Sequence, residues 1–268
     1  MQFYLGTHQP AWLGRFAIPL MVSRRVLDGY RRLPRACAPW LCDSGGFSEL
    51  NLHGKWTISP ETYCREVDRF LEEIGHLQAA AIMDWMCEEV VLRKTGLTVR
   101  DHQTRTIDNY LQLRSLRPNH PWMPVLQGFA PDEYLWHLDE YGRRGVNLPG
   151  FPLVGVGSVC RRQHTGGITP LIKQLAGLGL RLHAFGIKTL GLPTLAPYLA
   201  SSDSMAWSFA ARRSPPLPEC LALMESGIIR PHKNCANCCR YALRYRDQIL
   251  ALIEKTGPSR VAPPLRTA

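Results

Sequence analysis

The sequence has no run approaching the roughly 18 uninterrupted apolar residues that a bilayer-spanning helix needs, so no membrane partner is expected. It has no internal repeat and no low-complexity tract, which excludes solenoid and fibrous architectures. The opening MQFYLGTHQPAWL lacks a basic-then-apolar run and a cleavage-like site, so no secretory leader is read there. Nine cysteines are an odd number, which a complete disulfide framework does not fit. A reducing cytoplasm is the expected compartment, with thiols free or on a metal. The glycine-rich stretch Val154-Gly155-Val156-Gly157-Ser158 lacks the full dinucleotide fingerprint, so no Rossmann site is read there.

Acidic residues are also scarce. Asp and Glu number 22 against 32 Lys and Arg, leaving a formal charge of +10, and arginine outnumbers lysine heavily. Such a balance favours a polyanionic partner, because the guanidinium fork matches phosphate oxygens and binding releases counterions. At 45% hydrophobic and 20% charged residues, 268 residues can bury a sizeable core without further staples.

Short apolar runs alternate with helical spacing. The runs are Phe3 to Leu5, Ala38 to Cys42, Ala79 to Met83, Trp122 to Leu126, Leu153 to Val156 and Arg181 to Phe185. Helices are expected over Ser59 to Ile74, Val99 to Leu116, Pro131 to Gly142, Thr169 to Leu178 and Arg240 to Glu254. The alternation predicts an α/β fold with a parallel sheet and crossover helices; a closed barrel and an open doubly wound sheet both fit it. Asp43, Asp84, Gln127, Gly157 and Gly186 all stand at or just beyond the end of an apolar run. Function collects at the carboxyl ends of parallel strands, so the recurrence predicts one shared site.

In Cys42-Asp43-Ser44-Gly45-Gly46-Phe47 a strand delivers a carboxylate, and two glycines let the backbone turn tightly. In Ser202-Asp203-Ser204 a second carboxylate sits among small residues, with Trp207 four positions on and Arg212-Arg213 beyond. Substitution at a sugar's anomeric carbon needs one carboxylate as nucleophile and another group to move the proton. Asp43 and Asp203 are candidates for that pair, and a plain helix cap at Asp203 is the bland alternative. Asp84, beside Trp85, and Gln127-Gly128 suit a planar base with ring N–H and amino donors. The set His232-x-x-Cys235-x-x-Cys238-Cys239, with Cys220 upstream, has ligand spacing for a closed, structural tetrahedral zinc. Cys220 is preferred as the further thiolate over Cys239. The arginines Arg240, Arg244 and Arg246 are expected on the exposed face of the last helix.

These elements resemble the tRNA-guanine transglycosylase superfamily, and within it the deazapurine DNA-modification transglycosylases (the DpdA family). FYLGTHQPAWL, DSGGF, TISPETY, GVGSVCRR, HAFGIKT, SSDSMAWS and HKNCANCCRYALRYR carry the likeness in that order, from Met1 to about Asp247. The resemblance implies a (β/α)8 TIM-type barrel with an appended C-terminal zinc-binding element. It implies Asp203 as nucleophile, Asp43 as general acid/base, and Ser44, Gly45, Gly46, Asp84, Gln127 and Gly157 at the base pocket. The boundaries expected are 1–214 for the barrel, 215–255 for the zinc element and last helix, and 256–268 for a flexible tail.

The implied reaction replaces guanine in DNA with a free 7-deazaguanine such as 7-cyano-7-deazaguanine. It needs no cofactor besides structural Zn2+, and other proteins of a DNA-modification system are candidate partners. The chain departs from the tRNA enzymes, which typically have a CxCxxC set followed by histidine, whereas no histidine follows His232 here. Its shortness puts their tRNA-docking surfaces in doubt and favours DNA. A tRNA-directed enzyme, a base-removing glycosylase and a non-catalytic nucleic-acid-binding barrel are the rival readings.

Overall fold

A computed structural model describes residues 1–159, 168–187, 189–257 and 261. Cys160, Arg161 and Arg162 of the GVGSVCRR motif, Lys188 of HAFGIKT and most of the expected tail lie outside the described residues.

Nine strands, all parallel, form one sheet: β1 (Gln2–Thr7), β2 (Leu20–Ser23), β3 (Trp40–Asp43), β4 (Leu77–Ala81), β5 (Trp122–Met123), β6 (Val125–Leu126), β7 (Val154–Val156), β8 (Leu182–Ala184) and β9 (Ser201–Ser204). The order is β5-β4-β3-β2-β1-β9-β8-β7-β6. Its two ends, β5 and β6, are consecutive in the chain and separated only by Pro124. They are halves of one extended segment, the first paired with β4 and the second with β7, so the sheet curls into an eight-position barrel. Proline has no N–H to give a ladder, and the break falls there. The Pro124 carbonyl still accepts from Gly155 N at 2.8 Å.

Helices pack around the outside. Pro60–Glu73 starts at Ser59, whose hydroxyl accepts from Thr62 N, and Val99–Leu116 starts with a Thr98–Asp101 capping box. Pro131–Arg143, Ile168–Gly177 and Cys239–Glu254 complete the long helices and follow the expected spacing closely. The helix Cys239–Glu254 is no loose appendage: Ala242 and Ile249 are buried in the same cluster as Phe3 and Leu5 of β1.

Strand alternation divides the core in two. Outward-facing Phe3, Leu5, Val22, Trp40 and Cys42 join the helices in the main cluster. Inward-facing Tyr4, Met21, Leu41, Ala79, Ala81, Met123 and Leu153 fill the barrel's amino half. Two residues further along the same inward rows stand Asp43 after Leu41, and Asp203 after Ser201. The lumen therefore turns from apolar to polar along its axis.

Two strands lie outside the apolar runs singled out in the sequence. β2 is four residues long and follows Pro19, and β9 is Ser-Ser-Asp-Ser. Pairing with β1 and β8 makes β9 a strand against its propensity. Asp203 lies within that strand and caps no helix; Met205 caps the next one.

Trp40 is fully buried, its indole N–H donating to Gly75 O at 2.8 Å and its ring set against Phe70. Trp40→Ala is expected to cost about 3–5 kcal/mol in urea unfolding, from the cavity it leaves and the orphaned carbonyl.

Candidate active site

At the carboxyl ends of the strands, Asp43, Phe47, Asp84, Met86, Glu88, Gly157, Ser158, Phe185 and Gly186 line a cavity of about 150 Å3. A larger cavity of about 460 Å3 opens at the amino ends, around Tyr4, Trp122, Phe151 and Arg181. No carboxylate lines that one, so the smaller cavity is where carboxylate chemistry can occur.

Asp43 ends β3 beside Ser23 of β2, and its Oδ2 accepts from Gly45 N at 3.1 Å. Gly45 has φ +76°, and a Cβ there would stand 2.8 Å from the Arg25 side chain. Only glycine makes that turn at that distance. Gly46 is glycine for a different reason: its Cβ would meet Asp84 O at 3.1 Å and Asp84 Oδ1 at 3.2 Å. These glycines thus make room for Arg25 and Asp84, and neither Gly45 nor Gly46 itself lines the cavity. Behind the turn, Arg24 meets Glu66 at 2.8 Å and Glu49 at 3.7 Å, and Arg25 also pairs with Glu49.

Asp84 is almost completely buried, and each of its carboxylate oxygens accepts one side-chain hydrogen bond. Ser44 Oγ donates to its Oδ1 at 3.1 Å and Gln127 Nε2 to its Oδ2 at 2.5 Å. Gln127 Oε1 in turn accepts from Ser158 Oγ at 2.8 Å, and Ser158 Oγ accepts from Cys87 N at 2.9 Å. Gly157 completes the arrangement, because a Cβ there would lie 2.1 Å from Gln127 Nε2. Ser158 takes φ +57°, an uncommon backbone for a non-glycine residue, which turns its hydroxyl toward Gln127. Side chains and loops from β3, β4, β6 and β7 thus share one polar network.

Asp203 Oδ1 accepts from Gly186 N at 2.9 Å, and His183 Nε2 lies 3.5 Å from the same oxygen. His183 Nδ1 is 2.9 Å from Ser201 Oγ. Asp203 is not itself among the lining residues of the cavity; it joins the site through Gly186, which is. The three aspartates are close enough to feel one another. Burial raises the pKa of Asp43, and the negative charge of Asp203 raises it further. Burial likewise lifts Asp84 to about 7, with the charge of Asp43 adding to it.

His183, Phe47, Phe185, Met86, Glu88 and Ser158 are additions to the residues singled out from the motifs. His183 had a usable signal, since it sits in the HAFGIKT strand at the inward parity of Asp203 on the neighbouring β9. Phe47, Phe185 and Met86 supply the apolar walls that a flat ring needs.

The second cluster lies beyond β9. Cys220, Cys235 and Cys238 have their sulfurs within 4.8 Å of one another and could hold a metal ion. The Cys220–Cys238 and Cys220–Cys235 separations are 3.6 and 3.8 Å. Tetrahedral zinc with Zn–S bonds of ≈ 2.3 Å requires an edge of about 3.8 Å, so the donors fit. His232 Nε2 lies 3.7 Å from Cys235 Sγ. Cys239 packs instead against the main core. Asn237 of this loop reaches back to His8, with Nε2 and Oδ1 2.5 Å apart. On the last helix Arg240 and Arg244 are exposed as expected, but Arg246 is half-buried, because it shares the helix face of the core residues Ala242 and Ile249.

Residues 1–263 match the family described as DpdA, DeoxyPurine in DNA protein A. The chain belongs to the DpdA family. Membership carries a transglycosylase-type function in the deazapurine modification of DNA, and DNA is the partner on which DpdA proteins act. No curated protein matches the chain. Among the described residues no helix is long and apolar enough to cross a membrane.

Gly157→Ala in this DpdA protein is expected to push Gln127 off Asp84 and weaken binding of free guanine at least tenfold in calorimetry, with the fold retained by circular dichroism. Zinc added to metal-free protein is expected to raise the melting temperature. Cys235→Ser should abolish that rise, and a melting curve indifferent to zinc would remove the metal assignment.

Proposed function

We propose that the chain exchanges guanine in DNA for a 7-deazaguanine, such as 7-cyano-7-deazaguanine, through a covalent glycosyl–aspartate on Asp203. The observation that carries this reading is the meeting of Asp43, Asp84 and Asp203 at one end of the barrel, beside a small cavity with apolar walls. The target guanosine leaves the base stack, since its anomeric carbon is shielded within a duplex. Asp84 accepts from the ring N–H and amino group of the base, and Gln127 holds that carboxylate in place.

A carboxylate oxygen of Asp203 attacks the anomeric carbon as its bond to guanine N9 breaks. Asp43 gives N9 its proton. Burial beside a second carboxylate favours the protonated form of Asp43 that this step needs. Guanine departs, and the 7-deazaguanine enters with N9 protonated. The Asp43 carboxylate removes that proton while N9 attacks the sugar and the ester to Asp203 breaks. Two displacements retain configuration, and no net redox change occurs. The N–H of Gly186 fixes the attacking carboxylate, and Phe47, Met86 and Phe185 limit water, which would otherwise hydrolyse the ester. We read Cys220, His232, Cys235 and Cys238 as a closed zinc site. Such a metal supplies folding energy and no reaction chemistry.

Asp203→Asn should lower incorporation of labelled guanine into DNA by at least about a thousandfold, and Asp43→Asn by about a hundred- to ten-thousandfold. Wild-type exchange in folded Asp203→Asn would falsify the nucleophile assignment, and guanine release from tRNA but not from DNA would move the substrate to RNA. Guanine donates to the ionised form of Asp84. Its affinity is therefore expected to fall as pH drops through about 7, where that carboxylate takes up its proton.

A further inference from the structure

Immediately beyond the Asp203 strand the chain exposes apolar surface that a solvated helix does not need. In the helix Ala206–Ala211 and its approach, Met205 and Phe209 are 40% and 60% exposed. The opposite face of that helix is clamped. The Trp207 indole N–H donates to Gly6 O at 2.8 Å, and its ring stacks on Trp12 and His8 at 5.5 and 5.8 Å. Ser208 Oγ donates to Ala236 O at 3.0 Å, tying the helix to the cysteine-bearing loop. Phe209 is therefore held rigidly outward between two fixed supports. The Arg213 guanidinium lies 3.5 Å from the centroid of its ring, and Arg212 and Arg213 are both exposed.

A rigid exposed ring with a cation on its face is a platform for an unstacked nucleobase and its phosphate. The patch is about one ring wide, far smaller than the ≈ 800 Å2 per partner of a stable protein interface. The net charge of +10 complements a polyanion and disfavours a basic partner. Ser204, Met205 and one helical turn separate Phe209 from Asp203, a contour of at most about 15 Å. A strand with its sugar at Asp203 passes the ring within a few nucleotides.

We propose that Phe209 and Arg213 stack and neutralise an unpaired stretch of the DNA strand flanking the guanosine in the site. This rests on the base-exchange reading above. The test is fluorescence anisotropy with a labelled single-stranded DNA oligonucleotide containing one guanine, titrated at several salt concentrations. Phe209→Ala is expected to weaken binding about tenfold with the salt dependence unchanged, and Phe209→Trp to restore it. Arg213→Gln is expected to flatten the slope of log affinity on log salt by about 0.7. Free guanine should bind all three variants as it binds the wild type, which separates loss of the platform from a damaged barrel.

Binding by Phe209→Ala within twofold of wild type overturns the platform while leaving base exchange intact. A wild-type protein that binds no DNA overturns both readings. Single-stranded RNA of the same sequence bound more tightly, with the same dependence on Phe209, overturns the choice of DNA.

Discussion

The buried carboxylate of Asp84 is the constraint around which the carboxyl end of the barrel is arranged. A nearly inaccessible acid costs several kcal/mol unless its oxygens are partnered. Here Ser44 reaches it from the loop after β3 and Gln127 from the end of β6, while Ser158, beyond β7, holds Gln127. Satisfying one acid thus fixes the relative positions of segments that lie far apart in the chain. The glycines at 46 and 157 follow from the same requirement, since each leaves room for an atom of this network. What looks in sequence like a flexible Gly-Gly turn is a tightly filled corner.

Asp43 and Asp203 are arranged by different means. Asp43 belongs to an inward row whose preceding member, Leu41, is core, so strand parity alone turns it into the lumen. Asp203 occupies the equivalent row of a strand with no apolar residue, and it is oriented by Gly186 N and flanked by His183. Burial raises the pKa of Asp43, and the nearby charge of Asp203 adds to that rise. Proximity of like charges costs stability, and at Asp43 it favours the protonated carboxyl.

Much of this was legible in the sequence, and the remainder was hidden for physical reasons. Asp43, Asp84 and Gln127 stand out because each ends an apolar run, and the long amphipathic helices follow their periodicity. β9 is invisible to hydrophobic patterning, because its inward positions serve the polar lumen and its outward neighbours are small serines. The barrel could not be told from an open sheet until β5 and β6 proved to be one segment paired on both sides. Spacing pointed to the cysteine cluster. Spacing also favoured Cys220 over Cys239, since adjacent cysteines at a helix start point in different directions, and the sulfur geometry agrees. The ties from the cysteine loop to His8 and to Ser208 are long-range and leave no local mark at all.

The seam at Pro124 bears on how the ring is held closed. Each half of that segment contributes only two register pairs, whereas β1 joins β9 through four and β2 joins β3 through four. The β8–β9 ladder has two pairs as well, so the wall is held by its shortest ladders on this side of the ring. Gln127 is the next residue after the second half of that segment, so the hydrogen bond that holds Asp84 hangs directly from one of these short ladders.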